Sequence, residues 1–214
     1  MFEFQNRPNA PHLLETGERV QLPTIYGSFE LLPFMEIATG KEHIALTKGP
    51  VENKKSVLLR IHSACATGDL FGSMRCDCGE QLHRALQAIE QEGRGVLIYL
   101  QQEGRGIGLM QKMKAYKLQE QGVDTVDANL QLGHQADERD YRAAAEILRQ
   151  LNISQVKLLT NNPDKKSGLE KYGINVACCI PLLTEPNPHN AFYLQTKEKR
   201  MGHLLGQLNF ENHE

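Results

Sequence analysis

The sequence predicts an α/β fold: a mixed sheet with flanking helices, preceded by a small antiparallel β region. Three observations carry this. The apolar runs SVLLRIH (56–62), GVLIYL (95–100) and VKLLTNN (156–162) alternate with stretches of helical period, as strand–helix units around a sheet do. Upstream, VQLPTIYGSFELLPFMEI and HIALTKG alternate apolar and polar residues and break at Gly27 and Gly40, the signature of short antiparallel strands. The 214 residues hold no internal repeat and no low-complexity segment, and that length suffices for one substantial core.

Taken in order, residues 1–19 hold prolines, asparagines and charges without a period and form an N-terminal arm. The SVLLRIH strand delivers the chain into a loop rich in polar groups. Gly79 then opens a helix whose Leu82, Ala85, Leu86 and Ile89 recur at i, i+3, i+4 and i+7, a core-facing stripe that ends near Gly93. GVLIYL is a buried strand, followed by the loop QQEGRGIG at 101–108. The next helix turns Leu109, Met113 and Tyr116 inward, with Lys112 at the edge of that side and Lys114 and Lys117 away from it. A third helix runs from about Asp137 to Leu151 with Tyr141, Ala144, Ala145 and Leu148 inward. After Pro163 a short helix carries Lys165, Lys166, Leu169 and Tyr172, and INVACCIPLL (174–183) is the last apolar strand. Its Cys178 and Cys179 point to opposite faces and so do not share a metal; both are expected as core thiols. Residues 187–205 read as a helix with several Lys and Glu residues, ahead of a tail at 206–214.

Composition narrows the function. Lys and Arg number 24 against 26 Asp and Glu, a net charge of -2, without the basic excess of a nucleic-acid binder. No apolar run approaches the roughly 20 residues that cross a bilayer, and the N-terminus has no basic segment leading into an apolar one. A cytoplasmic protein is expected. Five cysteines, an odd number, read as metal ligands plus reduced thiols, not as a disulfide framework.

The chemistry concentrates in Arg60–Gln81, RIHSACATGDLFGSMRCDCGEQ, where Cys65, Cys76 and Cys78 stand in a C-x10-C-x-C pattern. A structural zinc site closes with four protein ligands, whereas a catalytic one keeps three and leaves a place for water; three cysteines fit the open case. Buried thiols, or one bridge with a spare cysteine, are the alternatives. Arg60, His62, Thr67, Asp69, Arg75 and Gln81 surround them with groups suited to a phosphorylated substrate. The EGRGIG loop has three glycines in five residues, so its backbone can approach a phosphate closely, although a bare tight turn would look the same. Arg105 within it and Lys165 in the TNNPDKK loop favour an anion. In DANLQLGHQADERDY, Asp137 suits a helix N-cap and its neighbouring carboxylates complement the helix dipole.

The runs RCDCG-x-Q and QEGRGIGL resemble those of GTP cyclohydrolase II, the zinc enzyme that opens GTP at the start of riboflavin synthesis, and the resemblance extends from about Val20 to Leu205. It implies a catalytic domain at 20–205 that binds zinc through Cys65, Cys76 and Cys78. Arg60, Ile61, His62, Ser63, Ala64, Gln81, Glu103, Gly104, Arg105, Thr125, Thr160 and Lys165 match the family's GTP-binding positions. Asp137 and Arg139 match its proton acceptor and nucleophile, and Tyr116 a catalytic-site tyrosine. A guanidinium stays protonated at ordinary pH, so a charge clamp on the phosphates suits Arg139 better. The implied reaction attacks C8 of guanine with zinc-activated water, releases formate, and, with Mg2+ on the phosphates, releases pyrophosphate. The product is 2,5-diamino-6-(5-phosphoribosylamino)pyrimidin-4(3H)-one, and family members are homodimers. One position departs: the family has glutamate after RIHS, and this chain has Ala64. That departure leaves room for a paralogue with another product or purine substrate, and the zinc cluster alone would also suit a non-catalytic nucleotide-binding protein.

Overall fold

The structure, a computed structural model, describes residues 13–206. Most of the predicted N-terminal arm (1–12) and all but the first residue of the tail (207–214) lie outside the described residues. Strands β1 (Leu14–Thr16), β2 (Val20–Thr24), β3 (Gly27–Glu36) and β4 (Glu42–Lys48) pair antiparallel: β1 and β2 lie along successive halves of one edge of β3, and β4 lies along the other. This region is not a separate sheet. β4 pairs antiparallel with β6 (Gly95–Leu100), and β6 continues in parallel to β5 (Val57–Ser63), β7 (Gln155–Leu159) and β8 (Asn175–Ile180), giving one eight-stranded mixed sheet.

Helices cover both faces, which is why β5 and β6 are almost continuously buried. On one face Leu59, Ile61, Val96 and Ile98 meet Ala144, Ile147 and Leu148 of α5 (Arg142–Gln150) and Leu169 of α6 (Pro163–Lys171). On the other, Phe29, Leu58 and Leu97 meet Ala85, Leu86 and Ile89 of α2 (Cys78–Glu92). Each of the larger of these side chains, Val, Leu, Ile or Phe, contributes about 1.5–3 kcal/mol before entropy is counted. The period of two along β5 thus sends Leu59 and Ile61 into one core and directs Arg60 and His62 towards the opposite face.

Several expectations are corrected. The inward residues of α3 (Leu109–Gln119) are Lys112 and Ala115, while Leu109 is 44% and Met113 39% exposed; Lys112 can be buried because other segments supply it with acceptors. The helix expected from Asp137 begins only at Arg142, whose backbone N–H donates to Asp140 Oδ1 at 2.7 Å. Asp137 is not a helix cap: its carboxylate accepts instead from the backbone and guanidinium N–H groups of Arg139. Cys178 and Cys179 are exposed, not core thiols. They lie on β8, the outermost strand, where the register jumps from Val156↔Val176 to Lys157↔Cys178. The C-terminal helix is shorter than expected, with α7 at Ala191–Met201. Two helices had no sequence counterpart: α1 (Ala66–Asp69), and α4 (Thr125–Gln131), which is capped by the Asp124 side chain. Helix α3 packs on α4, and α4 on α7.

Candidate active site

The site lies where the chain leaves the carboxyl ends of β5, β6 and β7, the usual ligand position in an open α/β sheet. After β5 the Ala64 N–H is tied to the Leu100 carbonyl at 2.8 Å, and α1 carries the chain round to bring Cys65 against Cys76 and Cys78. The three sulfurs lie within 4.8 Å of one another, and Cys65 Sγ is 3.7 Å from Cys76 Sγ. Two sulfurs bound at 2.3 Å to a tetrahedral zinc lie about 3.8 Å apart, whereas a disulfide holds them at about 2.05 Å. The spacing therefore fits a metal. Gly68 permits this convergence, because a Cβ there would come within 2.8 Å of Cys76 Sγ and 3.3 Å of Cys65 Sγ.

The cluster is charged unevenly. Hydrogen bonds from the thiols of Cys76 and Cys78, reinforced by the Lys112 ammonium, hold Cys65 far below the ordinary thiol range. The hydrogen bonds these two thiols donate to Cys65, together with burial and the Cys65 charge, push Cys76 up to about 11 and Cys78 well above the ordinary thiol range. A divalent cation would take all three as thiolates and release the remaining protons.

A buried frame supports the sulfurs. Asp69 accepts from His62 Nε2 at 3.0 Å, Tyr99 Oη at 2.8 Å and the Cys65 N–H at 2.9 Å. Lys112 Nζ donates to Glu103 at 2.8 Å and Thr67 at 3.0 Å, and lies 3.1 Å from Cys65 Sγ. Burial opposes the charge on Lys112, yet Glu103 and Cys65 raise its pKa. Beyond the cysteines, Asp77 accepts from Lys197 and, at 2.6 Å, from Gln81 Nε2; Gln81 Oε1 accepts from Arg60 at 2.7 Å.

The three cysteines, Lys112, Glu103, Asp77, Gln81, Arg60 and Lys197 line one cavity that is open to solvent. Of the residues singled out in the sequence, Arg60, His62, Ser63, Ala64, Arg75, Gln81, Glu103, Gly104, Arg105, Tyr116, Thr125, Arg139, Thr160, Lys165 and the three cysteines line it. Four do not. Thr67 and Asp69 belong to the frame that holds Lys112 and Cys65. Ile61 is fully buried in the sheet core and offers only its carbonyl, which accepts from Lys165 Nζ at 2.8 Å. Asp137 stands behind the wall, paired with Arg139. Tyr116 Oη is 3.5 Å from Thr67 Oγ1, and the Arg75 guanidinium lies 4.2 Å above its ring.

The cavity is strongly cationic. Burial brings Arg60 down to about 10, and burial followed by repulsion from Arg60, Arg139 and Lys197 pulls Lys165 well below the ordinary lysine range. Arg139, its side chain 12% exposed, keeps its proton, its pKa raised by Tyr141 and Asp137 against the burial penalty. Such crowding of like charge favours a polyanionic ligand. Sequence reasoning missed Lys112, Asn129, Tyr193, Lys197 and His203, which also line the cavity. The one available signal was the i, i+4 spacing of Tyr193 and Lys197 in the tail, and that stretch reads equally well as a solvated helix.

Fold and site together define an α/β protein with a three-cysteine, metal-capable centre opening into a cationic pocket. The chain belongs to the GTP cyclohydrolase II family, whose family model matches residues 15–181. It is 60% identical over 193 residues to "Riboflavin biosynthesis protein RibBA" of Parabacteroides distasonis, a match covering 90% of this chain and 48% of that protein. The RibBA protein of Bacillus subtilis is 54% identical over 94% of this chain and 51% of its own length. The chain thus spans about half the length of these relatives. "GTP cyclohydrolase-2" of Azotobacter vinelandii is 56% identical, with 88% of this chain matching 90% of that protein.

Proposed function

We propose that the protein is a zinc-dependent GTP cyclohydrolase II, hydrolysing GTP to 2,5-diamino-6-(5-phosphoribosylamino)pyrimidin-4(3H)-one, formate and pyrophosphate. The observation that carries this reading is the meeting, in one cavity, of three convergent sulfurs and a set of buried cations. Zinc held by Cys65, Cys76 and Cys78 would supply Lewis-acid activation of water near neutral pH. Tyr116, close to Thr67 and under Arg75, has its pKa raised by burial and so keeps a proton to offer a ring nitrogen or oxygen. Arg60, Arg105, Arg139 and Lys165 would hold the triphosphate, and Mg2+ carried with the nucleotide would supply further neutralisation of its charge. Arg139 stays charged against Asp137 and acts as a clamp, stabilising charge as it develops on the phosphates. Asp137 orients that guanidinium.

The reading includes a cytoplasmic homodimer. Leu70, Phe71, Leu109 and Met110 expose apolar surface that a second copy could cover, and sedimentation would measure the mass. The deciding experiment incubates the purified protein with GTP, Zn2+ and Mg2+ and measures formate and pyrophosphate separately. Both should appear, and Cys76→Ser should lose zinc and formate while retaining some pyrophosphate release. A folded Cys76→Ser variant with full zinc content and full formate release would sink the three-thiolate site.

A further inference from the structure

Helix α7 and the residues after it lie beyond the family match at 15–181, yet they return to the cavity. Gly202 ends α7 with φ of 63°, a left-handed turn that favours glycine. The His203 N–H then donates to the Lys197 carbonyl at 3.1 Å, and the Leu204 N–H to the Asn161 carbonyl at 2.9 Å. These bonds pin the segment against the loop after β7. His203 is 9% exposed and lines the cavity, but its Nε2 has no hydrogen-bond partner among the described residues. A buried polar atom without a partner is costly, and at the wall of a ligand cavity the missing partner is a ligand atom. The largest charge effects on this ring come from cations, Lys197, Arg139, Lys165 and Arg105. An imidazole in that company stays neutral, and with its hydrogen on Nε2 it is a donor facing a place suited to an anion.

We propose that His203 is a phosphate-binding residue, donating from Nε2 to a phosphate oxygen of the nucleoside triphosphate, so that the C-terminal segment forms part of the substrate site. The assignment rests on the cyclohydrolase reading for the identity of the nucleotide. It does not depend on that reading for the anion.

The test titrates inorganic pyrophosphate, GTP and guanosine into zinc-loaded wild type, His203→Ala and His203→Gln. A hydrogen bond to a charged group changes affinity by about ten- to a hundredfold. His203→Ala should weaken pyrophosphate and GTP by that factor, leave guanosine and zinc content unchanged, and raise KM for GTP more than it lowers kcat. His203→Gln, which keeps a donor, should recover most of the loss. In wild type, the 15N resonance of His203 Nε2 should shift when pyrophosphate is added, a readout that stands even where the variants unfold. Unchanged affinity in folded His203→Ala, or no shift of that resonance, would overturn the assignment. Wild type that bound pyrophosphate through His203 but released no formate from GTP would instead sink the cyclohydrolase reading and leave this assignment standing.

Discussion

Lys197 Nζ lies 2.8 and 3.0 Å from the two carboxylate oxygens of Asp77, the residue between Cys76 and Cys78, and both side chains are nearly closed to solvent. The pair joins α7 to the cysteine hairpin across 120 residues of sequence. Burial alone would discharge Lys197, yet Asp77 and Tyr193 raise its pKa. Removing one partner of a buried pair strands the other, at a cost of about 3–5 kcal/mol. Lys197→Met should therefore lower the unfolding free energy by about that amount in urea and speed zinc loss to a chelator. Lys197→Met combined with Asp77→Asn should recover part of the loss, since no charge is then stranded. A single variant as stable and as metal-retentive as wild type would show that the pair does not brace the hairpin.

Gly68 offers a way to disturb the three-sulfur cluster without changing a cysteine. An alanine Cβ there would stand 2.8 Å from Cys76 Sγ and 3.1 Å from Cys78 Cβ, closer than neighbouring atoms tolerate, so the sulfurs must separate. Gly68→Ala should weaken zinc affinity about ten- to a hundredfold, the range seen when a metal's supporting shell is altered, with the far-ultraviolet circular dichroism unchanged. Competition with a chromophoric chelator measures the affinity. Wild-type affinity in this variant would mean that the loop relaxes freely and that its close approach is incidental.

Features carried by local period were legible in the sequence, and features carried by distant partners were not. The α2 stripe was readable because Ala85, Leu86 and Ile89 meet one face of the sheet. The convergence of three sulfurs was readable because the C-x10-C-x-C spacing is local. Lys112 is the opposite case: an apolar rule puts Leu109 and Met113 inside, but Glu103, Thr67 and Cys65, which lie 9, 45 and 47 residues away, make the lysine the buried residue. Cys178 and Cys179 belong to an apolar run, and only strand order reveals that β8 is an edge with exposed thiols. Asp137 has the composition of a helix cap, but Glu138 N–H donates to the Arg105 carbonyl at 2.9 Å, drawing this stretch to the EGRGIG loop and delaying the helix.

His203 also predicts how stability depends on pH. Burial, then repulsion from Lys197 and Arg139, lowers its pKa from 6.5 to about 2. Between those values the unfolded chain holds a proton that the folded protein excludes, so stability falls as pH drops below about 6.5 and the loss saturates near pH 2. One such group contributes a slope of up to about 1.4 kcal/mol per pH unit. Because Asp137 is also held below the ordinary carboxylate range, by Arg139 against burial, and loses that stabilisation on acidification, the wild-type curve alone does not isolate the histidine. Comparison with His203→Gln at equal zinc content does. The variant should show a shallower loss in urea between pH 6.5 and 4.5, and parallel curves would show that His203 does not titrate abnormally.

Ala64 stands where the resemblance read from the sequence implies a glutamate. Its backbone is fixed by the bond to Leu100, its side chain is 6% exposed, and it lines the cavity beside Cys65. A carboxylate there would accept hydrogen bonds from guanine donors or orient a neighbouring base. One bond of that kind is worth roughly 1.5–3 kcal/mol, or about ten- to a hundredfold in rate or affinity. The pocket otherwise retains the matched cations, so the protein is expected to tolerate the loss and not to have been remodelled around it. Ala64→Glu should therefore raise kcat/KM for GTP by up to that factor with the same ratio of formate to pyrophosphate, measured by coupled assays on matched zinc-loaded samples. A changed product ratio, or a fall in kcat/KM with zinc content intact, would mean that the alanine belongs to a pocket shaped for a different outcome. Unchanged kinetics and products would show that this side chain takes no part in the chemistry.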